Sequence, residues 1–141
     1  METNNASYEA ALADAFPAID AGAIPLGARI LVQLRKPKKK MTASGILLVQ
    51  ETKETEKAQN CVGKVVAVGP LAFKKRDTME SWPEGSWAEV GDYLRVPKWT
   101  GDRWEVQVPE SDDDRVEFLI LNDHEIVAKL TGNPLSVRAF V

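Results

Sequence analysis

Between residues 25 and 130 glycine and proline cut this chain into short β-branched runs, none long enough to make a helix of ordinary length. Arg29-Ile30-Leu31-Val32-Gln33-Leu34 alternates, with Ile30, Val32 and Leu34 on one face and Leu31 on the other. Gly63-Lys64-Val65-Val66-Ala67-Val68-Gly69-Pro70 is a second strand, closed by its Gly-Pro break. Val90-Gly91-Asp92 turns into Tyr93-Leu94-Arg95-Val96. Trp99 and Trp104 flank Thr100-Gly101-Asp102-Arg103, which reads as a hairpin tip, and Trp104-Glu105-Val106-Gln107-Val108 alternates after it. Residues 116–121 and 126–130 complete the series, with a capped turn at Asn122-Asp123-His124-Glu125 between them. Many short strands at close spacing specify an all-β chain folded as a small β-barrel.

One segment does not fit a barrel wall. Ser44-Gly45-Ile46-Leu47-Leu48-Val49 is uncharged, yet it lies between Lys36-Pro37-Lys38-Lys39-Lys40 and Glu51-Thr52-Lys53-Glu54-Thr55-Glu56-Lys57. These flanks carry too little apolar surface to offset the entropy of ordering them, so a mobile loop over about residues 36–60 is expected. Aliphatic residues on such a loop suit a groove on another protein, although a short core strand would use the same residues.

Residues 70–89 lack a sustained period and hold Pro83, Gly85, Trp82 and Trp87, as a long excursion from the barrel would. Before residue 25, Tyr8, Ala11, Leu12, Ala15 and Phe16 recur at helical spacing. Asn5 or Ser7 is available as N-cap and Pro17 as stop, which predicts a short amphipathic helix over residues 7–16 that needs a surface to dock on. Residues 18–24 read as a linker. The expected organisation is an N-terminal extension (1–24), a barrel domain (25–130) and a C-terminal tail (131–141).

Composition narrows the function classes. A 141-residue chain of formal charge −3 and 44% hydrophobic content offers nucleic acid no electrostatic footprint. No apolar run approaches the length that crosses a bilayer. Cys61 is the single cysteine, which excludes an internal disulfide or a thiolate metal cluster and fits a reducing cytoplasm. There is no phosphate-loop or dinucleotide motif, no metal-ligand cluster, and only His124 as a histidine, in a polar turn. Asp112, Asp113 and Asp114 lack the alternation and glycine of a calcium loop. No enzyme activity and no cofactor are expected. One rival is an OB-like barrel binding single-stranded nucleic acid by stacking on Trp82, Trp87, Trp99 and Trp104.

The order of these features resembles the GroES-type co-chaperonins over residues 25–130. It runs from Pro25-Leu26 into the first strand, then through Gly45-Ile46-Leu47-Leu48, Gly63 to Gly69 and Val90-Gly91-Asp92-Tyr93 to the closing strands. The resemblance implies a GroES-like β-barrel subunit of a ring of about seven. That ring caps the ATP-driven cylinder of a GroEL-type chaperonin and encloses unfolded client proteins, and ATP is bound only by the partner. Ile46, Leu47 and Leu48, with Gly45 at the bend, occupy the place of the chaperonin-docking tripeptide. Residues 70–89 take that of the roof hairpin, with Trp82 and Trp87 in it. Subunits would join through the first and last strands, here Arg29, Ile30, Leu31 and Val32 with Ile126, Val127, Ala128 and Lys129. The extra N-terminal segment, tail and tryptophan-rich roof look more like a divergent, phage-encoded member, which would work in the host cytoplasm.

Overall fold

The structure, a computed structural model, describes residues 2–36, 40–41, 47–48, 61–109 and 114–136; for 2–6, 40–41 and 47–48 it describes the backbone alone. Its elements are α1 (Glu2–Ala15), β1 (Arg29–Leu34), β2 (Lys40–Met41), β3 (Leu47–Leu48), β4 (Val62–Val68), β5 (Tyr93–Arg95), β6 (Asp102–Gln107), β7 (Arg115–Asn122), a 3-10 turn (Asp123–Glu125) and β8 (Ala128–Lys129). Six strands form one antiparallel sheet in the order β6-β7-β1-β4-β5-β8, and β2 pairs only with β3. The chain is mostly antiparallel β-sheet, as expected, with one α-helix, near its start, among the described residues.

β1 lies at the centre because both its faces are apolar. Ile30, Val32 and Leu34 enter a core with Val65, Leu94, Val96, Leu119 and Leu121, while Leu31 enters a second with Val116, Phe118 and Ala21. The larger core also takes in Phe73, with Trp82 and Trp87 packed on its border. The second is covered by Ile19 and Ala21 of residues 18–24, expected only as a linker, with Pro17, expected as the helix stop, leading into them. Gln33, buried in β1, donates from Nε2 to the Pro17 carbonyl at 2.7 Å, and Trp104 Nε1 donates to Ala21 at 3.0 Å. A buried amide needs such a partner, so the strap satisfies Gln33 as it shields Leu31.

Two local expectations are corrected. Residues 100–103 do not join β5 to β6 as a hairpin, since β5 pairs with β4 and β8 and β6 with β7. Gly101 (φ +82°) does make a turn, but an added Cβ there would meet the Ile120 carbonyl, so the chain turns onto β7. Trp104 then stacks on Phe118 with ring centroids 6.0 Å apart. The helix begins at Glu2, ahead of both suggested N-caps, and is not docked along an apolar face: Tyr8 and Ala11 are exposed and Leu12 half-buried. Its C-terminal end is seated on the barrel. Phe16 is buried 5.2 Å from the Tyr93 ring, and Lys36 N–H donates to the Ala15 carbonyl at 3.0 Å.

Candidate functional site

The β1/β4 register sorts the two long excursions to opposite ends of the central strand pair. Leu34 faces Gly63 at one end and Ile30 faces Val68 at the other. The charged segment after residue 35 therefore leaves and re-enters at the Leu34 end, while the residues after Val68 depart beside Arg29.

At the Leu34 end the segment's two roots are held firmly. Arg35 N–H donates to the Val62 carbonyl at 2.8 Å, and Val96 N–H donates to Cys61 at 2.8 Å. The Arg35 side chain is buried and donates from Nη1 to the carbonyl of buried Pro134 at 2.6 Å, which ties the C-terminal tail to this root. Lys36 forms an ion pair with Asp114. Between the roots, β2 and β3 pair as Lys40↔Leu48 and Met41↔Leu47, apart from the six-stranded sheet. Leu47 and Leu48 thus lie on a small ladder of their own. Gly45 and Ile46 lie outside the described residues, as does most of the expected mobile loop.

The residues expected at subunit contacts separate into two groups. β1 is hydrogen-bonded on both sides, to β4 and to β7, so it has no free edge, and Ile30, Leu31 and Val32 are sealed in the chain's own cores. Only Arg29 of that strand is exposed. The expectation that β1 offers an edge to a neighbour is therefore corrected, because its double-sided apolar pattern places it at the sheet centre. β8 does stand at the end of the sheet, with Ala128 and Lys129 exposed, Val127 exposed before it and Ile126 buried. Ile24 at the end of the expected linker and Leu26 at the start of the expected barrel are also exposed, at 75% and 64%, and the sequence reading gave neither of them a surface role.

At the other end residues 70–89, the stretch that the resemblance likens to a roof, are built on aromatics. Phe73 meets Trp82 edge-on at 5.4 Å, and Trp82 meets Trp87 at 4.8 Å. Its base is pinned by Asp123, whose buried carboxylate accepts the Phe73 N–H at 2.9 Å. That bond holds Phe73 at φ +62°, a conformation that disfavours a side chain. Beneath the roof, Gly91 N–H donates to Val65 and Val65 N–H to Asp92, which stitches the Val90-Gly91-Asp92 turn onto β4. The Asp92 carboxyl is held below its ordinary range by the Glu89 N–H it accepts and, more weakly, by Lys129, against the opposing effect of burial.

Tryptophan placement does not favour a stacking platform. Trp82, Trp87 and Trp104 are half-buried in packing contacts, and only Trp99 is widely exposed, at 73%. His124 is exposed on the surface, 3.5 Å from Asp123. Among the described residues no three His, Cys, Asp or Glu side chains gather as a metal site would, and no helix is long and apolar enough to cross a membrane.

The antiparallel sheet thus carries a long excursion at each end of its central strand pair, and the β2/β3 ladder lies within one of them. The family model described as the chaperonin 10 kDa subunit matches residues 23–130, and the chain belongs to that family. It is a co-chaperonin of the GroES type, and its partner class is the GroEL-type chaperonin. The family is not one of enzymes. No curated protein matches the chain.

Proposed function

We propose that this chain assembles into a ring-shaped lid on its chaperonin, gripping it through Ile46, Leu47 and Leu48 and enclosing a folding client beneath the barrel wall. The observation that carries this reading is the rooting of one long charged segment at the Leu34 end of the barrel, with aliphatic residues at its middle. Burying one aliphatic side chain contributes roughly 1.5–3 kcal/mol, so three together supply several kcal/mol, from which the ordering entropy of the docked residues is subtracted. A single hook therefore binds weakly. A closed ring offers several hooks at once, and tethering raises overall avidity by about 10²–10⁴ over one hook. Weak individual contacts also allow release when the chaperonin's ATP cycle weakens each groove.

A ring needs two different surfaces that complement each other. The outer edge at β8, with exposed Val127, is one candidate, and Ile24 and Leu26, exposed on either side of buried Pro25, are the other. A neighbour's extended backbone laid along β8 would occupy that edge. ATP is expected only on the partner, and the cytoplasm, or a host's cytoplasm for a phage-encoded chain, is the compartment where such a partner works.

Leu47→Glu tests the reading. It is expected to abolish co-sedimentation with a GroEL-type chaperonin in the presence of ATP while the native mass stays that of a ring of about seven. Retained capture would remove the hook assignment. A monomeric parent chain at micromolar concentration would remove the ring.

A further inference from the structure

A cleft of about 280 Å³ opens at the Arg29 end of the barrel, between the start of β1 and the base of the roof. Its lining joins parts of the chain that are far apart in sequence: Arg29 from β1, Leu71, the run Lys74-Lys75-Arg76, and Met79. Backbone bonds fix this junction, with Leu71 N–H donating to Gly27 at 2.9 Å and Gly69 N–H to Arg29 at 2.8 Å.

The hairpin that forms the outer wall is tightly closed. Lys74 bridges Ser81, Lys75 N–H donates to Glu80 at 2.7 Å, and Met79 N–H donates to Lys75 at 2.8 Å. This closure holds Met79 at φ +61°, a strained setting for a residue with a side chain, and sets its thioether on the cleft. Strain of that kind persists where surrounding structure enforces it, and it is common at ligand clamps.

Charge distinguishes the cleft from an ordinary crevice. Four cations line it in a chain whose net charge is −3, and no acidic residue is in the lining. Asp77 and Glu80 belong to the same hairpin yet stay out of it. Among the described residues, none of the four cationic side chains forms an ion pair or hydrogen bond. Like charges brought together without a counter-charge repel, and an anion seated among them removes that repulsion. The floor is apolar, formed by Leu71, Met79 and the alkyl stems of the lysines.

We propose that this cleft binds a small phosphate monoester with an apolar or aromatic body, the phosphate on the Arg29, Lys74, Lys75 and Arg76 rim and the body on Leu71 and Met79. Guanidinium and ammonium groups suit a phosphate's oxygens, and a thioether suits an aromatic face. The volume is near the lower bound of small-molecule pockets. An extended peptide is disfavoured, because the backbone around the cleft is already paired and leaves no edge for strand addition.

The test uses the full chain with isotope-labelled methionine methyls, the Met79 resonance being assigned by its loss in Met79→Leu. Naphthyl phosphate is titrated in parallel with inorganic phosphate, naphthol and a penta-glutamate peptide. The expected result is a saturable Met79 shift with naphthyl phosphate, at least about tenfold tighter than with either half-molecule or the peptide. Lys75→Ala combined with Arg76→Ala should weaken it by a further factor of about ten or more while native mass is unchanged. Equal binding of inorganic phosphate would reduce the site to a charge patch, and equal binding of naphthol to a greasy crevice. Tighter binding of the peptide would reassign the cleft to acidic protein segments. Any of these results, or no saturable shift with naphthyl phosphate, overturns the proposal.

Discussion

Replacing Asp123 with alanine should loosen the roof from the barrel. The carboxylate is buried, accepts the Phe73 N–H at 2.9 Å, and belongs to a turn whose own N–H donates to Ala28 at 3.0 Å. A hydrogen bond to a charged acceptor contributes about 1.5–3 kcal/mol, and alanine would leave the Phe73 N–H buried without an acceptor. The same bond offsets the cost of the left-handed Phe73 backbone, so its loss favours a relaxed loop. A cost of about 2–3 kcal/mol corresponds, in a domain of this size, to a fall in melting temperature on the order of 10 °C. The Asp123→Asn variant, which keeps an amide oxygen for the same N–H, should lose less than half as much. Tryptophan emission is the suitable probe, because Trp82 meets Phe73 edge-on and Trp87 meets Trp82 in turn. Parent, Asp123→Ala and Asp123→Asn should be compared at equal subunit concentration, since assembly makes melting concentration-dependent. An alanine variant that melts and emits like the parent would refute the idea that this carboxylate pins the roof.

Three further outcomes follow from the same geometry. Gly69→Ala should destabilise more than Asp123→Ala, because its Cβ would fall on the Gly27 and Arg29 carbonyls; thermal melting ranks the two. Asp92 is held below its ordinary range in the fold, so its contribution is full above the unfolded carboxylate value near 3.9 and fades as pH falls through the lower folded value. Acid melting curves should therefore lose a pH-dependent component in Asp92→Asn. Phe16→Ala should unseat the end of the helix, expose Tyr93 and bring its phenol, now raised mainly by burial and secondarily by Tyr8, back toward 10.0; with two tyrosines in the chain, absorbance titration in alkali resolves it.

The parts legible in the sequence were those whose cause is local. β1 was bounded correctly because four aliphatic residues among its six positions, Ile30, Leu31, Val32 and Leu34, leave one reading, and the turn at Gly91 because its glycine takes φ +98°. Sheet order was not legible. Alternation in residues 104–108 marks a strand but does not name its partner, and Phe118 rather than β5 captured Trp104. The position of β1 misled for the same reason: first in sequence suggested an edge, whereas Leu31 needed a second core. The strap over that core escaped notice because Ile19 and Ala21 are short apolar residues without a period. The aliphatic run at residues 46–49 stood out by contrast with its charged neighbours. The cationic cleft had no such contrast, because Arg29 and Lys74 are joined only by the fold.

β1 also works as a spacer. Six residues at roughly 3.3 Å each separate its ends by about 20 Å. Whatever is inserted after Val68 builds outward from one end, and whatever is inserted after Arg35 builds from the other. The two attachments can therefore lengthen, shorten or change chemistry in separate mutational steps, each tested by selection without disturbing the other. A barrel arranged this way can enlarge the tryptophan-bearing excursion at one end while leaving the charged segment at the other end unchanged.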